Sequence, residues 1–450
     1  MRLTWVQPED LLLHELSQSR AEGVDVTDVE QRWLAAAPGS LEPPVGGTGE
    51  RRATPEQRRL AEQLLDELDV RVAPPDPRHP ESLLDIEAAW AVTAPSPPGQ
   101  DLLERLTGAW LGRAAGCLLG KPVEKLPRAG IYALASATGN WPLCSYFTAV
   151  GLDAATAAAW PWNRRSATTS LAENIDGMPE DDDLNYPMLN LGLLEAHGAA
   201  LDTEQIAIAW LADLPAARTF TAERAAYRNL LQAMPLAEVA RRRNPYREWI
   251  GALIRGDVFG WVYPGDPSAA ARLAWRDARL SHTRNGAYGE LWVAALTSSS
   301  LVGADVDEVL ATAAQIVPPR SQLAEAIAFG TELGRRERGL DSKLDALHER
   351  YGHLHWVHTL NNAAAIACAL SGSGGDFTAG IGLAVMAGWD TDSSAATVGA
   401  VLGALLGRDG LPASWVDPLD NRIDTSLPGG PVHIDELAAR TARVAGSLRR

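Results

Sequence analysis

Apolar residues recur at helical spacing along most of the chain. Leu60, Leu64, Leu65 and Leu68 share one face of a charged segment running from Pro55 to Val70. The same periodicity predicts helices over 11–17, 27–37, 102–119, 187–197, 203–214, 222–233 and 236–243. It continues over 267–279, 289–298, 306–316, 321–335, 341–351, 361–370, 377–387 and 393–406. Alternating runs that would build a sheet are few, and no fixed-period repeat is present. The pattern predicts an all-α fold, a compact multi-helix domain with a helical N-terminal extension.

The extension is expected over residues 1–100. Its short helices are separated by a loop-like stretch with Pro43-Pro44 and Gly46-Gly47. The run Ala94-Pro95-Ser96-Pro97-Pro98-Gly99 is the clearest boundary signal in the sequence. Residues 101–450 are expected to form the catalytic domain.

Two predicted helices carry glycine at every fourth position. These are Gly108, Gly112, Gly116 and Gly120 in one, and Gly399, Gly403 and Gly407 in the other. A glycine inside a helix costs about 1 kcal/mol relative to alanine. Repetition on one face implies close approach of backbones, as in small-xxx-small packing.

Composition supports helices and narrows the function. Hydrophobic residues make up 46% of the chain and aromatic residues only 6%. Alanine and leucine lead the apolar set, and both enter helices at little entropic cost. The formal net charge is −17, with 57 acidic and 40 basic residues. That balance argues against general nucleic-acid binding, which needs a basic surface. Cys117, Cys144 and Cys368 are too few and scattered for a disulfide framework. They fit a reducing, cytoplasmic setting. No apolar run approaches the roughly 18 residues of a membrane span, and the first residues do not read as a signal peptide.

Two acidic motifs carry the candidate chemistry. In Glu180-Asp181-Asp182-Asp183, four adjacent carboxylates repel one another. A hard divalent cation would relieve that repulsion. A helix pattern begins near Leu184, so a helix N-terminus would also favour these charges. The second motif is Asp390-Thr391-Asp392-Ser393. Asp390 and Asp392 would converge only on non-helical backbone, with Asp392 or Ser393 capping the helix that follows. Each motif alone also reads as an ordinary helix start.

A third segment, Gly116-Cys117-Leu118-Leu119-Gly120-Lys121-Pro122-Val123-Glu124, precedes both. In this order, over about residues 102–407, the three motifs resemble the ADP-ribosylglycohydrolase family. That family shows Gly-Asp-x-x-Gly-x-x-x-Glu, then Thr-Asp-Asp-Thr, then Gly-Gly-Asp-Thr-Asp-Thr. The resemblance implies an all-α fold with two Mg²⁺ or Mn²⁺ ions. It also implies cleavage at the ribose anomeric carbon of an ADP-ribosyl or related nucleotide-derived substrate. On this pattern Glu180, Asp181, Asp182, Asp390, Asp392 and Ser393 are the expected metal ligands, and Glu124 and Asp182 the expected catalytic carboxylates. Four positions depart from it. Glu180 and Asp183 stand in place of threonines, Cys117 in place of aspartate, and Trp389 in place of glycine. The candidate substrates are an ADP-ribosylated side chain, a free ADP-ribosyl metabolite and a nucleotide-derived intermediate of specialised metabolism, and the departures at Glu180 and Trp389 point toward the small molecules.

The segment Ser281-His282-Thr283-Arg284-Asn285-Gly286 is also family-like, which makes His282 and Asn285 expected substrate contacts. Trp389 and Asn174 join them, Trp389 through its ring and Asn174 through a loop over the pocket that includes Trp162-Asn163-Arg164-Arg165. For Asn174, stabilising a turn is the stronger reading. His353, His355 and His358 lack the spacing of a zinc site. No phosphate-cradling glycine loop is present, so a nucleotide would enter as substrate. The alternative to an enzyme is an inactive ligand-binding or structural protein on the same fold. The oligomeric state stays open.

Overall fold

The predicted helices form, and sheet is almost absent. The computed structural model describes residues 2–49, 52–91, 95–163, 165–336 and 339–449. Ala94 of the boundary run and Arg164 of the loop before the first acidic motif lie outside these residues. Among the described residues are 23 α-helices and one short antiparallel ladder, Arg422–Ile423 with Val432–His433. No helix of the described residues is long and apolar enough to cross a membrane. The longest helices outside the predicted set are Arg128–Ala137 and Ile434–Leu448.

At the centre, the helices Leu102–Gly120 and Thr391–Leu406 cross in direct backbone contact. Gly108 lies against Gly403, Gly112 against Gly399 and Gly116 against Ala395, an antiparallel register. A Cβ at Gly112 would overlap the Gly399 carbonyl. The glycine stripe is therefore a packing requirement, which outweighs its conformational cost. At its far end Gly120 meets Thr391, whose Oγ1 donates to the Gly120 carbonyl at 2.9 Å. This contact brings the turn carrying Glu124 beside the second acidic motif.

The helix after the first motif, Asp182–His197, starts five residues before the predicted Pro187. Proline inside a helix leaves the carbonyl four residues earlier without its donor. Here that carbonyl belongs to Asp183, and Arg113 Nε donates to it at 2.8 Å. A buried arginine in the apolar part of Leu102–Gly120 thus repairs the break.

The N-terminal segment docks on the rest of the chain through rings and buried charges. Trp5, His14, Tyr246, Trp249 and His355 form one cluster, with Trp249 and His355 stacked at 4.3 Å. Arg247 pairs with Glu15 at 3.0 Å and Glu22 at 2.8 Å, all nearly inaccessible. Gln18 donates to Glu248 at 2.8 Å.

Two outcomes follow. Gly112→Leu should destabilise the protein by at least roughly 3 kcal/mol, because backbone on the facing helix cannot yield as a side chain can. Arg247→Met should cost roughly 3–5 kcal/mol, since it strands two buried carboxylates. Urea unfolding of each variant checks both values.

Candidate metal and catalytic site

Two helix N-termini converge at the far end of the glycine contact. Asp390 occupies the position before the helix Thr391–Leu406, and Asp181 the position before Asp182–His197. The helix Thr391–Leu406 begins three residues earlier than a cap at Ser393 would allow. Asp390 makes no capping bond with its side chain, which turns toward the acidic cluster instead. The chain reaches Asp390 through two left-handed residues, Gly388 at φ 79° and Trp389 at φ 66°. A left-handed conformation is costly for a tryptophan. Its ring is buried and stacks on His348 at 4.3 Å.

Glu124, Asp390 and Asp392 each offer a carboxylate oxygen within 4.8 Å of the others. Cys117, Asp181 and Asp183 form a second such group. Ser393 Oγ joins the two motifs, lying 3.0 Å from Asp183 Oδ2 and 3.1 Å from Asp390 Oδ1. Asn362 Oδ1 accepts from Asp390 N and from Ser394 Oγ, both at 3.2 Å. The loop before the first motif closes over Glu124, where Asn163 Nδ2 donates to Oε2 at 2.8 Å. Lys125 Nζ lies 2.9 Å from Glu124 Oε1.

Electrostatics divide the cluster in two. Asp181 is held below the usual carboxylate range: burial opposes its charge, but Lys121 outweighs burial. Asp182 is pushed well up by burial, then by Asp181, Asp392 and Glu124. Asp183 rises through burial and Asp181, despite Arg113. Asp390 rises through burial and its neighbour Asp392. Asp392 is pushed up to about 7 by burial, then by Glu124 and Asp181. These carboxyls lie together with too little positive charge around them. A hard divalent cation among Glu124, Asp390 and Asp392 fits both the donor set and the missing charge.

The remaining expected residues lie elsewhere. The Glu180 carboxylate turns to Arg218 at 2.6 Å, to Asn185 Nδ2 at 3.1 Å and to Ser426. His282 is buried, and its Nδ1 lies 2.8 Å from Ser281 Oγ, beside the buried Arg255–Glu223 pair. Asn285 is buried too, donating to Glu248 at 2.6 Å and accepting from Leu323 N at 3.0 Å. Asn174 is exposed and donates to the Ala167 carbonyl at 2.9 Å, the turn-stabilising role. None of these four has a hydrogen bond to Glu124, Asp390 or Asp392 among the described residues. Residues not assigned from sequence do enter the site: Lys121, Arg113, Asp183, Asn163 and Asn362. Arg113 had a visible signal, the single charge in the stretch 106–120. Asp183 and Lys121 lay inside the motifs and Asn163 in the loop before the first acidic one, whereas Asn362 carried no signal.

A model of the ADP-ribosylglycohydrolase family matches residues 98–448. A solved structure described as an ADP-ribosylglycohydrolase-related protein complex aligns with a TM-score of 0.50 and 20% identity. The alignment covers 77% of this chain and 100% of that one, and at this identity it bears on the fold alone. No curated protein matches the chain in sequence.

The raised carboxyls give a pH signature. Asp392 has a folded pKa of about 7, above the roughly 3.9 of an unfolded aspartate. Its stability contribution is therefore full at low pH and lost as pH rises through about 7. In metal-free buffer, Asp392→Asn should melt above wild type at pH 8, with the gap narrowing as pH falls and closing only at about pH 4. A variant that melts below wild type at pH 8 would contradict the charge imbalance.

Proposed function

The chain belongs to the ADP-ribosylglycohydrolase family, and we propose that it hydrolyses the glycosidic bond at the ribose anomeric carbon of an ADP-ribosyl or related nucleotide conjugate. Membership of that family supports glycosidic-bond hydrolysis on this all-α fold. The observation that carries the finer reading is the meeting of Glu124, Asp390 and Asp392 within 4.8 Å, from motifs more than 260 residues apart.

Asp390 and Asp392, with Glu124 or the adjacent Asp182, would hold Mg²⁺ or Mn²⁺. Such an ion, when bound, supplies Lewis acidity toward water and the ribose hydroxyls. The family pattern calls for two ions, with Glu180, Asp181 and Ser393 in the ligand set. The carboxylates also stabilise the positive charge that develops on the sugar ring as the bond breaks. Glu124, oriented by Asn163 and Lys125, is placed to move the proton of an attacking water. Asp182 interacts with Glu124 across the cluster and is the second proton carrier.

Lys125 and Trp356 line the open side of Glu124. Lys125 Nζ sits 5.1 Å from the Trp356 ring centroid, and its side chain is 47% exposed. A ring beside an ammonium suits a base and a phosphate. This favours a nucleotide-bearing small molecule, in keeping with a role in specialised metabolism.

A mass-spectrometric screen of ADP-ribosyl and nucleotide conjugates with Mg²⁺ or Mn²⁺ tests the reading. The expected result is a ribosyl product that Asp392→Ala reduces by at least about a thousandfold, the scale of losing a charge-stabilising group. Full turnover by Asp392→Ala in chelator-treated buffer would overturn it. Tight conjugate binding without product would favour the inactive-binder alternative.

A further inference from the structure

We propose that the Lys121 ammonium permanently occupies one of the two cation positions of this site, so that the chain binds one divalent ion where its family pattern calls for two. The inference rests on the metal-site reading above and sharpens it.

The two ligand groups differ in what already neutralises them. Lys121 Nζ contacts Asp181 Oδ2 directly and lies 3.2 Å from the Glu180 carbonyl. It also interacts with Cys117 and Asp392. The ammonium therefore sits among Cys117, Asp181 and Asp392, against the group of Cys117, Asp181 and Asp183 that would otherwise take an ion. Asp183 in turn faces Arg113 at 3.4 Å and Ser393 Oγ at 3.0 Å. Asp181 thus meets its own fixed cation and Asp183 shares Arg113 with Asp257, which pairs with it at 2.8 Å, while the third member, Cys117, is a buried thiol whose ionisation burial opposes. An aspartate at position 117, as in the family pattern, would add a third negative charge here.

Lys121 has no route out of the way. Its side chain is only 9% exposed. It belongs to the buried turn Lys121–Val123, pinned by Gly120 against Thr391 and by the Pro122 carbonyl, which accepts from Asn163 N at 2.9 Å. A divalent ion entering this group would be in contact with a buried like charge. The other group is open by comparison. Asp390 and Asp392 form no ion pair with a lysine or arginine among the described residues, and Lys121 acts on Asp392 only from the neighbouring group. Lys125, on Glu124, is 47% exposed and can swing into solvent.

Counting Mn²⁺ on the full chain tests this without reference to turnover. Chelator-treated protein is titrated with Mn²⁺, bound metal per chain is measured, and the electron paramagnetic resonance spectrum is recorded. The wild type should bind one ion with the six-line spectrum of an isolated Mn²⁺. Lys121→Ala should bind two, with the broadened spectrum of a coupled pair. Asp392→Ala should bind none. Two ions on the wild type would overturn the inference and leave the metal site standing. One ion on both wild type and Lys121→Ala would overturn Lys121 as the cause. No binding by the wild type would overturn the metal reading itself, and the inference with it. If Lys121→Ala does not fold, the wild-type count and spectrum decide alone: one isolated ion supports the inference, two refute it.

Discussion

The backbone contact between Leu102–Gly120 and Thr391–Leu406 is the constraint on which the site depends. Side chains between two helices would allow many offsets and some give. Backbone against backbone allows one register, because each glycine has a specific carbonyl or glycine opposite it. The last pair in that register is Gly120 with Thr391. Four residues beyond Gly120 is Glu124, and on either side of Thr391 are Asp390 and Asp392. The spacing of the chemistry is thus inherited from a packing rule that contains no chemistry.

Holding carboxylates this close requires buried counter-charge, and Arg113 supplies part of it. It bonds the Asp183 carbonyl freed by Pro187, faces the Asp183 carboxylate, and pairs with Asp257 at 2.8 Å. One side chain therefore mends the proline break and fixes the first acidic motif relative to the glycine helix. Removing one member of such a buried set leaves the others uncompensated, which is why these groups behave as a unit. Lys121 offsets the Asp181 charge directly, whereas Asp390 and Asp392 form no ion pair with a lysine or arginine among the described residues.

Much of this was legible in the sequence because it is periodic or ordered. The glycine stripes predicted close packing, although not that they pack on each other. The order of the three motifs predicted the family and the all-α fold. What was not legible depends on where side chains point. Glu180 belongs to the acidic run, yet its carboxylate leaves toward Arg218 and Ser426, more than 35 residues away in sequence in each case. Trp389 reads as a pocket wall, but a left-handed backbone turns its ring onto His348. His282 and Asn285 sit in a motif-like segment, and long-range partners in Glu223, Arg255 and Glu248 bury them. The helix start at Asp182 was masked by Pro187, since sequence gives no sign that an arginine 74 residues earlier satisfies the orphaned carbonyl. The amphipathic C-terminal helix Ile434–Leu448 was periodic enough to find and was simply outside the predicted set.

The N-terminal segment reaches the site by a chain of contacts that its sequence does not announce. The Val45 carbonyl accepts from Trp356 Nε1 at 2.8 Å. Trp356 carries Lys125 on its ring, and Lys125 pairs with Glu124. The Trp356 carbonyl also accepts from Asn362 Nδ2 at 2.9 Å, and Asn362 Oδ1 accepts from Asp390 N. Glu124 and Asp390 are therefore each three contacts from the loop containing Pro43 and Pro44. A proline-rich loop loses little entropy when fixed, which suits a segment whose task is to hold an aromatic ring still. The rings of Trp5, His14, Trp249 and His355 anchor that loop from behind. The extension is thus built into the support of Glu124 and Asp390, and its docking charges serve the geometry of the site as well as the stability of the fold.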